Sequence, residues 1–231
     1  MSGSICLRNN EIDPYPPVKI TFVGDASVGK TSLVQRFSRN DFSETTSSTI
    51  GAAFVAMRFP VRKGDKGRLY HIWDTAGQER YSSLIPLYVS GARVIVVVYD
   101  ITNHYSFQRI GEHWLKYIRQ NLRLNDDEPL PMIYLLGNKK DLASKERSVT
   151  IYEAQTFAAA HDMGFLEVSA KTGEGAQEVF MNIANHADEL VIRQADALKL
   201  SRADLERDEQ ASPGCCSGAI ARVDPTGWWS T

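Results

Sequence analysis

From Val18 the chain alternates apolar and polar side chains through Val18-Lys19-Ile20-Thr21-Phe22, the period-two pattern of a strand with one buried face. A glycine-bearing turn follows, after which Leu33, Val34 and Phe37 recur at helical spacing. Two further strand-like runs, Ala52 to Val61 and Arg68 to Trp73, flank Lys63-Gly64-Asp65-Lys66-Gly67, whose glycines and aspartate suit a hairpin turn. The run Val94 to Tyr99 is continuously apolar, as in a parallel strand covered on both faces, and Phe107, Ile110, Trp114, Ile118 and Leu122 then mark one face of a helix. Met132 to Leu136, a helix from Ile151 to His161, Phe165 to Val168 and a helix from about Ala176 repeat the alternation. Strands alternating with helices imply right-handed crossovers and one α/β domain. The expectation is a mostly parallel, doubly wound sheet with one antiparallel edge hairpin and helices on both faces.

The pattern starts at residue 18 and fades near 192. Residues 1–17, with Pro14-Tyr15-Pro16-Pro17, read as an extended, disordered leader, and 193–231 as a helix extension running into a flexible polar tail. Composition adds limits. The 231 residues carry 26 Lys plus Arg against 28 Asp plus Glu, a net charge of -2, which argues against a chain built to neutralise nucleic-acid phosphates. With 43% hydrophobic residues the chain can build a core without disulfide or metal staples. Val94 to Tyr99 falls far short of the ~20 apolar residues a spanning helix requires. Near the N-terminus only Ile5-Cys6-Leu7 is apolar, and Ser2 stands where a myristoylation pattern requires glycine, so a cytosolic chain with reduced cysteines is expected. Two of the three cysteines, Cys215 and Cys216, are adjacent.

Gly24-Asp25-Ala26-Ser27-Val28-Gly29-Lys30-Thr31 fits G-x-x-x-x-G-K-[ST], between the first strand and the first helix, and is followed by Ser32. Gly24 and Gly29 allow consecutive backbone N–H groups, from Ala26 through Ser32, to turn toward a phosphate chain at a helix N-terminus. Lys30 supplies a full charge for the β and γ phosphates, and Thr31 a hard oxygen for Mg²⁺. This motif alone leaves ATP and GTP, kinase and switch, open.

Asn138-Lys139-Lys140-Asp141 follows the strand Met132 to Leu136, at the carboxyl end of the sheet, where open α/β folds bind ligands. Asp141 selects the base. A carboxylate only accepts hydrogen bonds, and guanine presents N1–H beside an exocyclic amine, whereas adenine presents a bare N1. Ser169-Ala170-Lys171, after the strand Phe165 to Val168, would complete the pocket through a backbone N–H and the Lys171 stem.

With these motifs in order, residues 18 to 192 resemble the Ras superfamily of small GTPases, and Trp73-Asp74-Thr75-Ala76-Gly77-Gln78-Glu79-Arg80 is the most specific match. The resemblance implies that Thr31, Thr49 and Asp74 serve Mg²⁺, that the Gly77 N–H reads the γ-phosphate, that Gln78 orients the attacking water, and that Phe42 covers the guanine. Within the superfamily, Trp73, Arg80-Tyr81-Ser82-Ser83-Leu84 and Val98-Tyr99-Asp100-Ile101-Thr102 resemble Rab proteins. Ser48-Thr49-Ile50-Gly51-Ala52-Ala53-Phe54 and Ile85-Pro86-Leu87-Tyr88 resemble the early-endosomal Rabs, with Phe54, Trp73 and Tyr88 as an aromatic effector triad.

That resemblance implies a monomer that binds GTP or GDP with Mg²⁺ and hydrolyses GTP slowly. Its partners would be an exchange factor, a GTPase-activating protein, Rab escort and GDP-dissociation-inhibitor proteins, and tethering effectors in endosomal vesicle traffic, with no nucleic acid. Geranylgeranyl groups on Cys215 and Cys216 would hold it on the cytosolic face of endosomal membranes, although fifteen residues follow Cys216. Ala26 stands where the family most often has Gly or Ser, and the segments 61–70 and 122–131 are longer than in close relatives. A small-molecule kinase would need a lid, and nothing between Gly77 and Val94 resembles one. A GTP-binding scaffold with little turnover is the remaining alternative, against which Gln78, Thr49 and Asp74 are all present.

Overall fold

Strand β1 (Val18–Val23) lies inside a six-stranded sheet, hydrogen-bonded in parallel to β3 (Arg68–Thr75) on one side and β4 (Val94–Asp100) on the other. The structure is a computed structural model and describes residues 16–44, 49, 51–60, 67–77, 84–122, 130–190 and 192. The full order is β2-β3-β1-β4-β5-β6, with β2 (Ala52–Phe59) antiparallel to β3, and β5 (Met132–Asn138) and β6 (Gly164–Glu167) parallel. A mostly parallel sheet with one antiparallel edge pair is the architecture the sequence pattern implies. Residues 1–15 of the expected leader, 61–66 of the expected hairpin turn, 123–129, Gln78 and the cysteine pair Cys215 and Cys216 lie outside the described residues. The chain divides into two units, Met1–Ile192 and Arg193–Thr231, and the second also lies outside them.

The helices are α1 (Lys30–Arg39), α2 (Ile85–Val89), α3 (His104–Arg109), α4 (Leu115–Leu122), α5 (Ala143–Glu146), α6 (Ile151–Ala160) and α7 (176–190). Alternation along β4 divides the core. Val94, Val96 and Val98 pack with Ile20, Phe22, Ile72, Leu33 of α1 and Phe180 of α7, while Ile95, Val97 and Tyr99 pack with Ile110, Trp114, Ile118 and Ala158 on the other face. Both faces are covered, which is why β4 is apolar from Val94 through Tyr99. A buried ion pair, Arg68 Nε to Asp188 Oδ1 at 3.0 Å, joins β3 to α7.

Several boundaries move. Asn138 ends β5 rather than following it, because β4 and β5 stay in register as far as Asp100 opposite Asn138. Likewise β3 runs two residues past Trp73, since Asp74 and Thr75 pair with Ala53 and Ala52. The expected single helix after β4 is interrupted: a π-helical stretch, Ile110–Trp114, separates α3 from α4.

Candidate functional site

The sequence motifs converge at the carboxyl edge of the sheet. Gly29, with φ of +93°, caps α1, and a Cβ there would lie 2.3 Å from Asn138 Nδ2, so the turn admits only glycine. Ser27 is also left-handed, with φ of +64°. Lys30 opens α1 and is 5% exposed, its Nζ donating to the carbonyls of Gly24 and Asp25, both at 2.8 Å. Burial lowers its pKa from 10.5 to about 8, against the opposing pull of the Asp74 and Asp25 carboxylates. Two carbonyl dipoles compensate this charge only partly, which suits a cation that meets phosphate oxygens.

Three hard oxygens meet beside it. The Thr31 hydroxyl donates to Asp74 Oδ2 at 2.7 Å and lies 2.8 Å from Thr49 Oγ1. Asp74 is 1% exposed, and its other oxygen, Oδ1, is buried with no hydrogen-bond partner among the described residues. Burial raises the Asp74 pKa, opposed by the Thr31 hydroxyl and the Lys30 charge. Two hydroxyls and a carboxylate with an unused oxygen fit Mg²⁺, which takes hard oxygen ligands and usually few of them from the protein. Gly77 closes the phosphate side: a Cβ there would lie 2.4 Å from both Asp25 O and Ala26 N, so the 76–77 backbone runs against the phosphate loop with no room for a side chain.

A cavity of about 310 Å³ opens next to this cluster, lined by Gly29, Phe42, Asn138, Asp141, Ala170 and Lys171 among others. Asn138, 2% exposed, ties its walls: Nδ2 donates to Val28 O at 2.8 Å, and Oδ1 accepts from Ala170 N at 3.1 Å. Ser169 Oγ donates to Asp141 Oδ1 at 2.5 Å, which aims the carboxylate. Lys139 adopts φ of +68°, a strained value for a residue with a side chain, and its Nζ lies 2.6 Å from Asp100 Oδ2. Lys171 reaches Glu44 Oε1 at 2.9 Å across the cavity mouth. A larger cavity, about 740 Å³, lies at the opposite end of β5 beside Tyr134, His161 and His186 and holds none of the motif residues.

Some supporting residues carry no local sequence signal. Arg36 of α1 donates from Nε to Ala170 O and from Nη2 to Lys171 O, each at 2.9 Å, and so props the base loop from a helix more than a hundred residues earlier. The contacts of Asp100 and Asp25 likewise leave no local signal, because their partners are distant in sequence. On the outer side of β2 and β3, Phe54 meets Trp73 edge-on at 5.4 Å, and Trp73 meets Tyr88 at 5.8 Å. The triad is contiguous but unequal, since Phe54 is 50% exposed and Tyr88 only 8%; Tyr88 supports the surface rather than presenting it.

A phosphate loop opening the first helix, with a base-sized cavity beside it on the same sheet edge, defines a P-loop nucleotide-binding protein. The model of the Ras family matches residues 19–189, and the chain belongs to that family. It is a small GTPase: a GTP-binding switch of a family whose members bind GTP or GDP with Mg²⁺, generally hydrolyse GTP, and work with exchange factors, GTPase-activating proteins and effectors.

Proposed function

We propose that this chain is a Rab-type switch of endosomal vesicle traffic, alternating between GTP and GDP states that recruit and release tethering effectors. The observation that carries the switch mechanism is the meeting of Thr31, Thr49 and Asp74 oxygens around one point, because it links the phosphate loop to the segment containing Thr49. Lys30 binds the β and γ phosphates, and the Gly77 N–H holds a γ-phosphate oxygen. When bound, Mg²⁺ supplies charge that neutralises the transferring phosphoryl group, held by Thr31, Thr49 and Asp74. Gln78 orients the attacking water. Loss of the γ-phosphate removes what Thr49 and Gly77 grip in common, so partners that bind the ordered segments leave.

The Rab assignment is supported by the motifs Arg80-Tyr81-Ser82-Ser83-Leu84 and Ser48-Thr49-Ile50-Gly51 and by the Phe54–Trp73–Tyr88 contact chain. Exchange factor, GTPase-activating protein, escort protein and GDP-dissociation inhibitor are its partners in this reading. Paired lipids on Cys215 and Cys216 would give stable residence on the cytosolic face of endosomes, because two chains anchor where one is marginal. Incubated with a geranylgeranyl donor, escort protein and transferase, the full chain should gain the mass of two isoprenoid groups; an unchanged intact mass overturns the anchor.

The nucleotide reading is tested by denaturing the purified protein and chromatographing what it releases. GDP or GTP is expected; ATP or no nucleotide overturns it. Gln78→Leu should keep GTP binding while single-turnover hydrolysis falls by at least about tenfold, and an unchanged rate removes Gln78 from the mechanism.

A further inference from the structure

We propose that Trp114 and Arg109 are positioning residues of the nucleotide site, acting through the carboxylate of Asp25 to hold the phosphate loop and slow nucleotide release. The proposal rests on the reading of this chain as a GTPase. Asp25 occupies an unspecified position of the phosphate-loop motif, so phosphate binding gives no reason for an acid there. A carboxylate beside a triphosphate repels it unless it is turned away and neutralised.

Here it is both. Trp114 Nε1 donates to Asp25 Oδ1 at 2.7 Å, Arg109 Nε lies 3.5 Å from Oδ2, and the Asp25 side chain is 16% exposed. The backbone of the same residue faces the ligand side. Its carbonyl accepts from Lys30 Nζ at 2.8 Å, and it is the carbonyl against which Gly77 packs. One residue thus fixes the phosphate-binding ammonium and the switch glycine relative to each other, and its side chain is gripped from behind by a helix.

That grip depends on an irregular helix. Arg109 is the last residue of α3, and Trp114 the last of the π-helical stretch Ile110–Trp114. A π turn inserts one extra residue into a helix and recurs at functional sites. Trp114 is 2% exposed, so its packing alone would account for its burial but not for the aim of its single polar atom at the phosphate loop.

The test measures release of a fluorescent GDP analogue from the full chain in Mg²⁺, for wild type, Asp25→Ala, Trp114→Phe and the double variant. A charge-assisted hydrogen bond lost from a closed loop should speed release about tenfold in each single variant. Because both lose the same contact, the double variant should release no faster than the faster single one. Asp25→Asn, which keeps an amide oxygen for the indole, should fall between wild type and Asp25→Ala. Release within about twofold of wild type in Asp25→Ala, or single effects that multiply in the double variant, overturns the proposal. Should Trp114→Phe fail to fold, Arg109→Gln paired with Asp25→Ala runs the same cycle. A wild type that binds no guanine nucleotide overturns the GTPase reading itself; a wild type that holds GDP no longer than its variants do overturns only the clamp.

Discussion

Replacing Lys30 by methionine should lower affinity for GTP and GDP by about 10³-fold, measured by titration calorimetry on the nucleotide-free chain, since truncating one member of a buried charge pair typically costs several kcal/mol. Methionine preserves most of the buried stem and removes only the ammonium. The same experiment has a pH signature. Lys30 sits at about 8 in the folded protein against 10.5 when unfolded, so between those values the unfolded chain holds the proton and the folded one does not. Nucleotide-free wild type should therefore gain stability relative to Lys30→Met as pH rises from 8 to 10.5, by roughly 3 kcal/mol in all. Nucleotide affinity should move the other way, because binding restores the proton: above pH 8 it weakens more steeply for wild type than for Lys30→Met, both also losing affinity where the guanine N1–H that Asp141 reads ionises. Parallel pH profiles for the two proteins would remove Lys30 from phosphate binding.

Asp141→Asn should reduce GDP affinity by about 10²–10³-fold and raise affinity for xanthosine diphosphate, compared by competition against a fluorescent nucleotide. The carboxylate is held by the Ser169 hydroxyl at 2.5 Å and lines the base cavity, so it meets the ligand as a fixed pair of acceptors. Guanine offers two donors to that pair. An asparagine turns one acceptor into an amide donor, which clashes with the guanine amine and matches the carbonyl that xanthine has in its place. Equal losses for both nucleotides would mean that Asp141 shapes the pocket without reading the base.

Much of this was legible in the chain because the relevant signals are local. β4 reads as a buried parallel strand because all seven of its residues are buried, and the phosphate loop reads as such because its glycines, lysine and threonine are contiguous. The base pocket was legible in part: Asn138 and Asp141 could be named, but not that Asn138 joins Val28 to Ala170. Contacts of that span, like those of Arg36 and Asp25, depend on which loops the crossovers bring together, and no local pattern records it. The π-helical stretch did leave a trace. From Ile110 the apolar positions step by four to Trp114, Ile118 and Leu122, wider than the 3.6 of an α-helix, and the drift is what one inserted residue absorbs. Tyr88 shows the opposite limit, since its identity suggested an exposed effector contact and packing put it beneath Trp73.

The sheet order β2-β3-β1-β4-β5-β6 has a consequence for how the protein is made. Every strand contributes to one rim, and the last piece of the base pocket, Ser169 to Lys171, follows the final strand. A growing polypeptide therefore has its phosphate loop translated early but no complete nucleotide site until β6 has left the ribosome. GTP and GDP, which stabilise only the finished domain, cannot favour any earlier intermediate. The exposed apolar faces of β1, β3 and β4 must wait through that interval without ligand help, and a destabilising change there should reduce the yield of folded chain before it alters nucleotide affinity.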